Sequence, residues 1–228
     1  MKPRIKIILV LALTVLSFNG FAAGELHLDD ANTDISDTVS LQNGAKLFMN
    51  YCSGCHAISF MRYNRIANDL ALSDSLVAEH LMFAGEKPGD TITTAMPKED
   101  STKWFGGHPP DLSLVARAKG TDWIYTYLRS FYEDESKAFG VNNKVLENAS
   151  MPDALWSLKE GRPEAEFDQD VRDITNFLDY VGEPAKLIRT GLGVWVLSFL
   201  GVLLVLTYLL KKEYWKDVKY GICLLYTS

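Results

Sequence analysis

Apolar positions along the chain fall into two unbroken runs and a middle region of helical periodicity. Ile7 to Phe18 is an almost continuous apolar run behind Lys2, Arg4 and Lys6, followed by small residues at Gly20, Ala22, Ala23 and Gly24. Basic head, apolar centre and small-residue cleavage site are the order of a secretory leader, expected over 1–23, and the centre is short for a spanning helix. Gly191 to Leu210 carries no charge. A helix over that stretch is about 30 Å long, one hydrocarbon core, so 187–210 is expected to be a transmembrane anchor. Lys211, Lys212, Lys216 and Lys219 follow it directly. Such residues stay in the cytoplasm, which makes 211–220 a basic cytoplasmic tail and puts the domain before the anchor outside. The closing string GICLLYTS (221–228) has no place in this scheme; it reads as translated adapter sequence and is set aside with Cys223.

Between the two runs, 24–186 reads as one exported domain. Asn43–Tyr51 predicts a short helix with Leu47 and Phe48 inward, and Ser73–Phe83 a second, capped by Ser73 or Asp74. Asp111 after Pro109-Pro110 is placed to cap a third helix through Ala118. Gly120 breaks the chain before a helix capped by Thr121 or Asp122. Its apolar stripe is Trp123, Tyr127 and Phe131 with Ile124 and Leu128. Val171, Ile174, Phe177, Leu178 and Val181 share one face of a last helix over Phe167–Val181. Two long loops, Gly85–Pro110 and Glu133–Pro163, separate these helices, and loops of that length are usually functional. Little reads as strand. The expected fold is mostly α.

Charge sharpens the picture. The whole chain carries −6, but residues 25–185 hold 14 Lys+Arg against 27 Asp+Glu, a net −13. Without clustered basic residues the domain does not suit nucleic acid. A strongly acidic face can be a solvated surface or a docking field for a basic partner. Three cysteines exclude a disulfide scaffold.

Two of those cysteines carry the chemistry. Cys52-Ser53-Gly54-Cys55-His56 is the C-x-x-C-H signature of covalent haem attachment: two thiols able to bond the two vinyl groups of one porphyrin, next to an imidazole for the iron. A thioredoxin-type Cys52–Cys55 disulfide would need a preceding strand and a βαβ pattern, and a zinc site would need a fourth ligand. Export agrees with haem, because attachment takes place outside the cytoplasm. One covalently bound haem c is therefore expected, with His56 as proximal ligand. The sixth iron ligand decides between electron transfer and an open, ligand-binding iron. Met61 lies only five residues past His56, and His80 and Met82 sit on a predicted helix where packing explains them. Met151, in a loop just ahead of the last helix, is the expected distal ligand, with Met96 and then His108 as alternatives. A thioether favours ferrous iron and hence a high potential.

These residues resemble the cytochrome c1 family, the haem subunits of quinol–cytochrome c reductase (cytochrome bc1) complexes, in its short proteobacterial form. The likeness runs to about Asp217. It rests on Gly44-Ala45-Lys46-Leu47-Phe48 leading into C-x-x-C-H, Met61-Arg62-Tyr63-Asn64-Arg65, and Trp104-Phe105-Gly106 ahead of Pro109-Pro110-Asp111-Leu112-Ser113. Asp122-Trp123 with Tyr125, Tyr127 and Leu128, Met151-Pro152 and the C-terminal anchor complete it. The resemblance implies a haem domain like the class I c-type cytochromes, with Cys52 and Cys55 on the haem, His56 proximal and Met151 distal. It also implies a bacterial inner-membrane protein crossing once, with a periplasmic haem domain and a cytoplasmic C-terminus. Its implied partners are cytochrome b beside the anchor, a Rieske iron–sulfur subunit as donor and a soluble or tethered c-type cytochrome as acceptor. Quinol chemistry would belong to a partner, since no quinone pocket is evident in this chain. An arginine that longer members carry before P-P-D-L for a haem propionate has no counterpart, and Lys103 or Arg117 are the residues that could replace it. The competing readings are another tethered monohaem carrier for a terminal oxidase or reductase, a haem enzyme or sensor with open iron, and a haem-free module using Cys52–Cys55 as a disulfide.

Overall fold

Asp37 sets where the domain's first helix begins: its carboxylate accepts hydrogen bonds from the Val39 and Ser40 amides at 3.0 and 3.1 Å, satisfying donors that the first turn leaves free. That cap starts helix α1 at Thr38–Tyr51, five residues earlier than the expected start at Asn43. The computed structural model describes residues 27–220; the expected leader and the 221–228 tail lie outside the described residues. In order follow β1 (Ile58–Arg62), α2 (Tyr63–Asp69), α3 (Asp74–His80), β2 (Thr91–Ile92), α4 (Lys98–Phe105), α5 (Val115–Lys119) and α6 (Thr121–Arg129). The chain continues through β3 (Phe131–Glu133), β4 (Val141–Asn143), α7 (Trp156–Lys159), α8 (Glu164–Gly182) and α9 (Lys186–Tyr220).

The first and last domain helices, α1 and α8, form the frame. They cross at Gly44, where a Cβ would stand only 2.0 Å from the Asp173 carbonyl oxygen and 2.8 Å from Phe177 Cβ. Glycine lets the backbones touch. Around this crossing Leu41, Phe48, Val171, Ile174 and Phe177 are almost wholly buried, and the Phe48 and Phe177 rings meet at 5.6 Å. A buried carboxylate joins the two helices: Asp173 accepts from Ser40 Oγ and Asn43 Nδ2, both at 2.7 Å, and from Gln169 Nε2 at 2.8 Å. Three donors replace the water that burial removes.

The apolar face expected for α8 is present, and the helix runs three residues further back, from Pro163 as N-cap. Helix α6 carries the expected stripe in part: Ile124, Tyr127 and Leu128 are buried and Trp123 is half-buried, but the helix ends at Arg129 and leaves Phe131 on β3. Three local expectations need correcting. Asp111 caps no helix, since α5 starts four residues later, at Val115. Neither Thr121 nor Asp122 caps α6; Gly120 stands at the cap, and Asp122 Oδ1 instead accepts from the Ala31 amide at 2.9 Å, holding the N-terminal segment down. The two long loops also contain structure: α4 lies in the first, and the antiparallel β3–β4 hairpin (Phe131 opposite Asn143) with α7 in the second. A second small antiparallel pair joins β1 and β2 through Ile58 and Ile92.

Within α9, Gly191–Lys216 holds an 18-residue apolar stretch with a mean hydropathy of 2.3, none of it buried against the rest of the chain. Its 26 residues are about 39 Å long at helical rise, enough to cross a membrane. Lys186–Asp179 (2.9 Å) and Arg189–Glu183 ion pairs tie the root of this helix to the domain.

Candidate functional site

The C-x-x-C-H segment is the C-terminal end of α1 folded into a tight turn. The Cys52 amide still donates to Phe48 O, after which the Cys55 and His56 amides both return to Cys52 O at 3.0 and 2.8 Å. Ser53 Oγ closes the helix end on Met49 O at 2.7 Å. Two thiols and an imidazole are thereby gathered on one turn. Among the described residues neither cysteine is in a disulfide. Burial pushes the Cys52 thiol up to about 12 and raises that of Cys55 as well.

His56 is buried, with Nδ1 2.8 Å from the Pro110 carbonyl oxygen. A carbonyl only accepts, so Nδ1 carries the hydrogen and Nε2 keeps its lone pair for a metal. Burial lowers the imidazole pKa and the Pro110 bond works against it, with burial prevailing. The neutral form is the one that ligates. Pro110 is itself held in place. Leu112 N donates to Ala57 O (2.8 Å), Ser59 N to Asp111 Oδ2 (3.0 Å) and Phe60 N to Ser113 Oγ (3.1 Å), while Ser113 N closes on Asp111 Oδ1 (2.7 Å). The P-P-D-L-S string is thus a strap laid along residues 56–60. Proline supplies a stiff carbonyl without a competing N–H, and Asp and Ser supply the acceptors. Burial would raise the Asp111 pKa, but these hydrogen bonds outweigh it and hold the carboxyl below its ordinary value.

The other candidate ligands are scattered. Met61 is buried in the core on β1, Met82 packs partly against the core, and His80 is exposed. Met96 is tied to the attachment turn: its amide donates to Thr94 Oγ1 (3.2 Å), which donates to Gly54 O (2.8 Å). His108 is exposed and pairs through Nδ1 with Ser101 Oγ at 2.8 Å. Met151 is half-buried against the core, and its sulfur receives the Tyr127 hydroxyl at 3.5 Å. Burial pushes the Tyr127 phenol up to about 12, so it stays a donor at neutral pH. No hydrogen bond among the described residues links Met151 to the Cys52–His56 turn.

The loop leading to Met151 is built on asparagines. Asn143 Nδ2 donates to the Tyr127 carbonyl at 2.8 Å, and its Oδ1 accepts from the Val145 and Leu146 amides; Asn142 Oδ1 accepts from the Asn148 amide at 2.9 Å. Phe139, in the hairpin turn, meets Phe105 of α4 at 5.4 Å, closing one long loop on the other. In the sequence Asp111 reads only as a helix cap and Tyr127 only as part of an apolar stripe, and nothing there marks the Pro110 carbonyl, the Ser113 hydroxyl or the two asparagines as parts of the site. The only advance sign of the strap was the P-P-D-L-S string, and it pointed to a helix start.

This donor set suits a covalently attached haem. Two unpaired thiols on one turn match its two vinyl groups, and a neutral imidazole with Nε2 unclaimed matches its iron. Among the described residues no three His, Cys, Asp or Glu side chains converge as a bare-ion site. Neither residue suggested for a propionate is distinguished: Lys103 pairs with Asp100 at 3.5 Å, and the exposed Arg117 lays its stem by Gly182.

Comparison with known proteins agrees with this chemistry. The profile of the Cytochrome C1 family matches residues 30–218. Cytochrome c1 of Allochromatium vinosum is 48% identical over 92% of this chain and 96% of its own length. A Nitrosomonas europaea protein named ammonia monooxygenase gamma subunit is 42% identical over 92% and 97%. Cytochrome c1 of Rhodospirillum rubrum is 31% identical over 81% and 84%.

Proposed function

The chain belongs to the cytochrome c1 family, a family of membrane-anchored haem subunits of the bc1 complex, and from that premise we propose its donor, acceptor, iron ligands and orientation. Electrons arrive from a Rieske iron–sulfur subunit and leave to a c-type cytochrome, with cytochrome b beside the anchor. The haem c that family members carry supplies an iron cycling between ferrous and ferric states.

Cys52 and Cys55 would hold that haem covalently, and His56 Nε2 and the Met151 sulfur would ligate its iron. The observation that carries this reading is the 2.8 Å bond from His56 Nδ1 to Pro110 O. Fixing the tautomer and rotation of a ligating imidazole is what a second partner does at metal sites. Met151, rather than Met96, suits the second position because Met96 is tethered to the attachment turn itself. A His/Met pair closes the iron to small ligands and raises its potential, which suits a carrier. Lys211, Lys212 and Lys216 beyond the apolar stretch support a periplasmic haem domain and a cytoplasmic C-terminus. The domain's net −13 supports docking of a basic acceptor.

The test is purification of the full chain from membranes, with covalent haem assayed as the pyridine haemochrome. Co-elution with a b-type cytochrome and an iron–sulfur protein supports the proposal, and isolation free of both opposes it. The Nitrosomonas relative's name favours one second reading, a tethered monohaem carrier serving a different oxidoreductase. Co-elution with such an enzyme and without cytochrome b would select it.

A further inference from the structure

We propose that Tyr127 is a positioning residue for the Met151 thioether, its hydroxyl orienting the sulfur and drawing electron density from it. This rests on Met151 being the axial sulfur. The contact is Tyr127 Oη to Met151 Sδ at 3.5 Å, and the hydroxyl has no other hydrogen-bond partner among the described residues.

The phenol is held with little freedom. Tyr127 is only 8% exposed. Its ring stacks on Trp123 at 4.9 Å with the planes 8° apart, and Phe131 meets it edge-on at 5.3 Å and 72°. Spacing of four residues puts Trp123 and Tyr127 on one face of α6, and Phe131 reaches the same ring from the start of β3. The same residue also supports the Met151 loop through its backbone, since Tyr127 O accepts from Asn143 Nδ2 and Asn143 Oδ1 holds the Val145 and Leu146 amides. One residue of α6 therefore fixes both the approach of the loop and the sulfur at its end.

A thioether sulfur has two lone pairs and is a weak acceptor. A hydrogen bond to one of them makes the other a poorer donor. Ferric iron needs an electron-rich ligand more than ferrous iron does, so the bond favours the ferrous state, the kind of outer-shell tuning that sets haem potentials. Without the hydroxyl the sulfur remains a ligand, and the oxidised form gains.

The experiment uses the full-length haem-loaded protein and its Tyr127→Phe variant. Two quantities are measured: the long-wavelength charge-transfer band of thioether-bound ferric haem, and the ferrous-to-ferric ratio at a fixed ambient potential. The wild type is expected to show the band. Tyr127→Phe is expected to keep it while the ratio falls about two- to fivefold, the range of a weak hydrogen bond. Trp123→Phe, which leaves hydroxyl and sulfur in place, is the control for ring packing and should leave the ratio unchanged. A wild type without the band removes Met151 from the iron and the proposal with it. A wild type with the band but an unchanged ratio in Tyr127→Phe overturns the Tyr127 assignment alone, as does an equal fall in Trp123→Phe.

Discussion

His56 and Pro110 lie 54 residues apart in the chain and are joined by one hydrogen bond, imidazole Nδ1 to prolyl carbonyl at 2.8 Å. The bond selects the tautomer that leaves Nε2 available. Because the acceptor is backbone, its position depends on the strap from Pro110 to Ser113, where Asp111 receives the Ser59 and Ser113 amides.

Asp111→Ala removes both of those acceptor bonds. We expect a loss of about 1.5–3 kcal/mol in domain stability, the range for bonds to a charged group, with covalent haem retained and the ferrous-to-ferric ratio changed because the imidazole is held less firmly. Thermal unfolding and a redox titration of the variant check this. Unchanged stability and ratio would show that the strap does not support the histidine.

Gly44→Ala places a methyl group 2.0 Å from the Asp173 carbonyl oxygen. Backbone cannot swing aside as a long side chain can, so the helices must separate. The cost is expected to reach about 3 kcal/mol or more, the upper end of overpacking. Gly89→Ala, where nothing lies within 4 Å of the added carbon, should fall within about 0.5 kcal/mol of wild type, as open surface sites do. Equal Tm values for the two variants would contradict the crossing.

Tyr180 gives a pH dependence with a defined sign. Its phenol is fully buried, and burial first, then the 2.8 Å bond to Asp69 and that carboxylate's charge, raise its pKa above the ordinary 10.0. A group whose folded pKa is raised contributes stability that is complete below its unfolded value and is lost as pH climbs through the folded one. Stability should therefore begin to fall above pH 10. Tyr180→Phe, measured by denaturant unfolding across that range, should be less stable near neutrality and show a shallower alkaline decline. An identical decline would place the titration elsewhere.

Docking on the acidic domain should be sensitive to ionic strength. Stopped-flow transfer to a basic c-type cytochrome is expected to slow steadily with added salt as the charges are screened. A flat profile would leave the acidic face as a solvated surface.

How far the fold could be read in advance depended on whether its signals were local. C-x-x-C-H, the stripe Ile124–Tyr127–Leu128 and the apolar face of α8 are periodicities or adjacencies, and each is present. Ser73 was legible as a cap for the same reason, and it accepts from the Leu76 amide at 3.2 Å. Asp111 and Asp122 looked like caps because that is the usual local use of the residue, but a strap and an N-terminal tether between distant segments claimed them. Asn142 and Asn143 read only as polar loop; their work is to stand in for backbone partners across the hairpin and the Met151 loop. Pro110 escaped notice because its contribution is a carbonyl, which no side-chain pattern encodes.

The most direct measurement is the absorption spectrum of the oxidised, haem-loaded full-length protein beside its Met151→Leu variant. Both should carry covalent haem through Cys52 and Cys55, with the thioether-to-iron charge-transfer band present in the wild type and missing from Met151→Leu, whose potential should also fall. A wild type without haem, or a variant that keeps both the band and the potential, would contradict the assignment of His56 and Met151 to the iron.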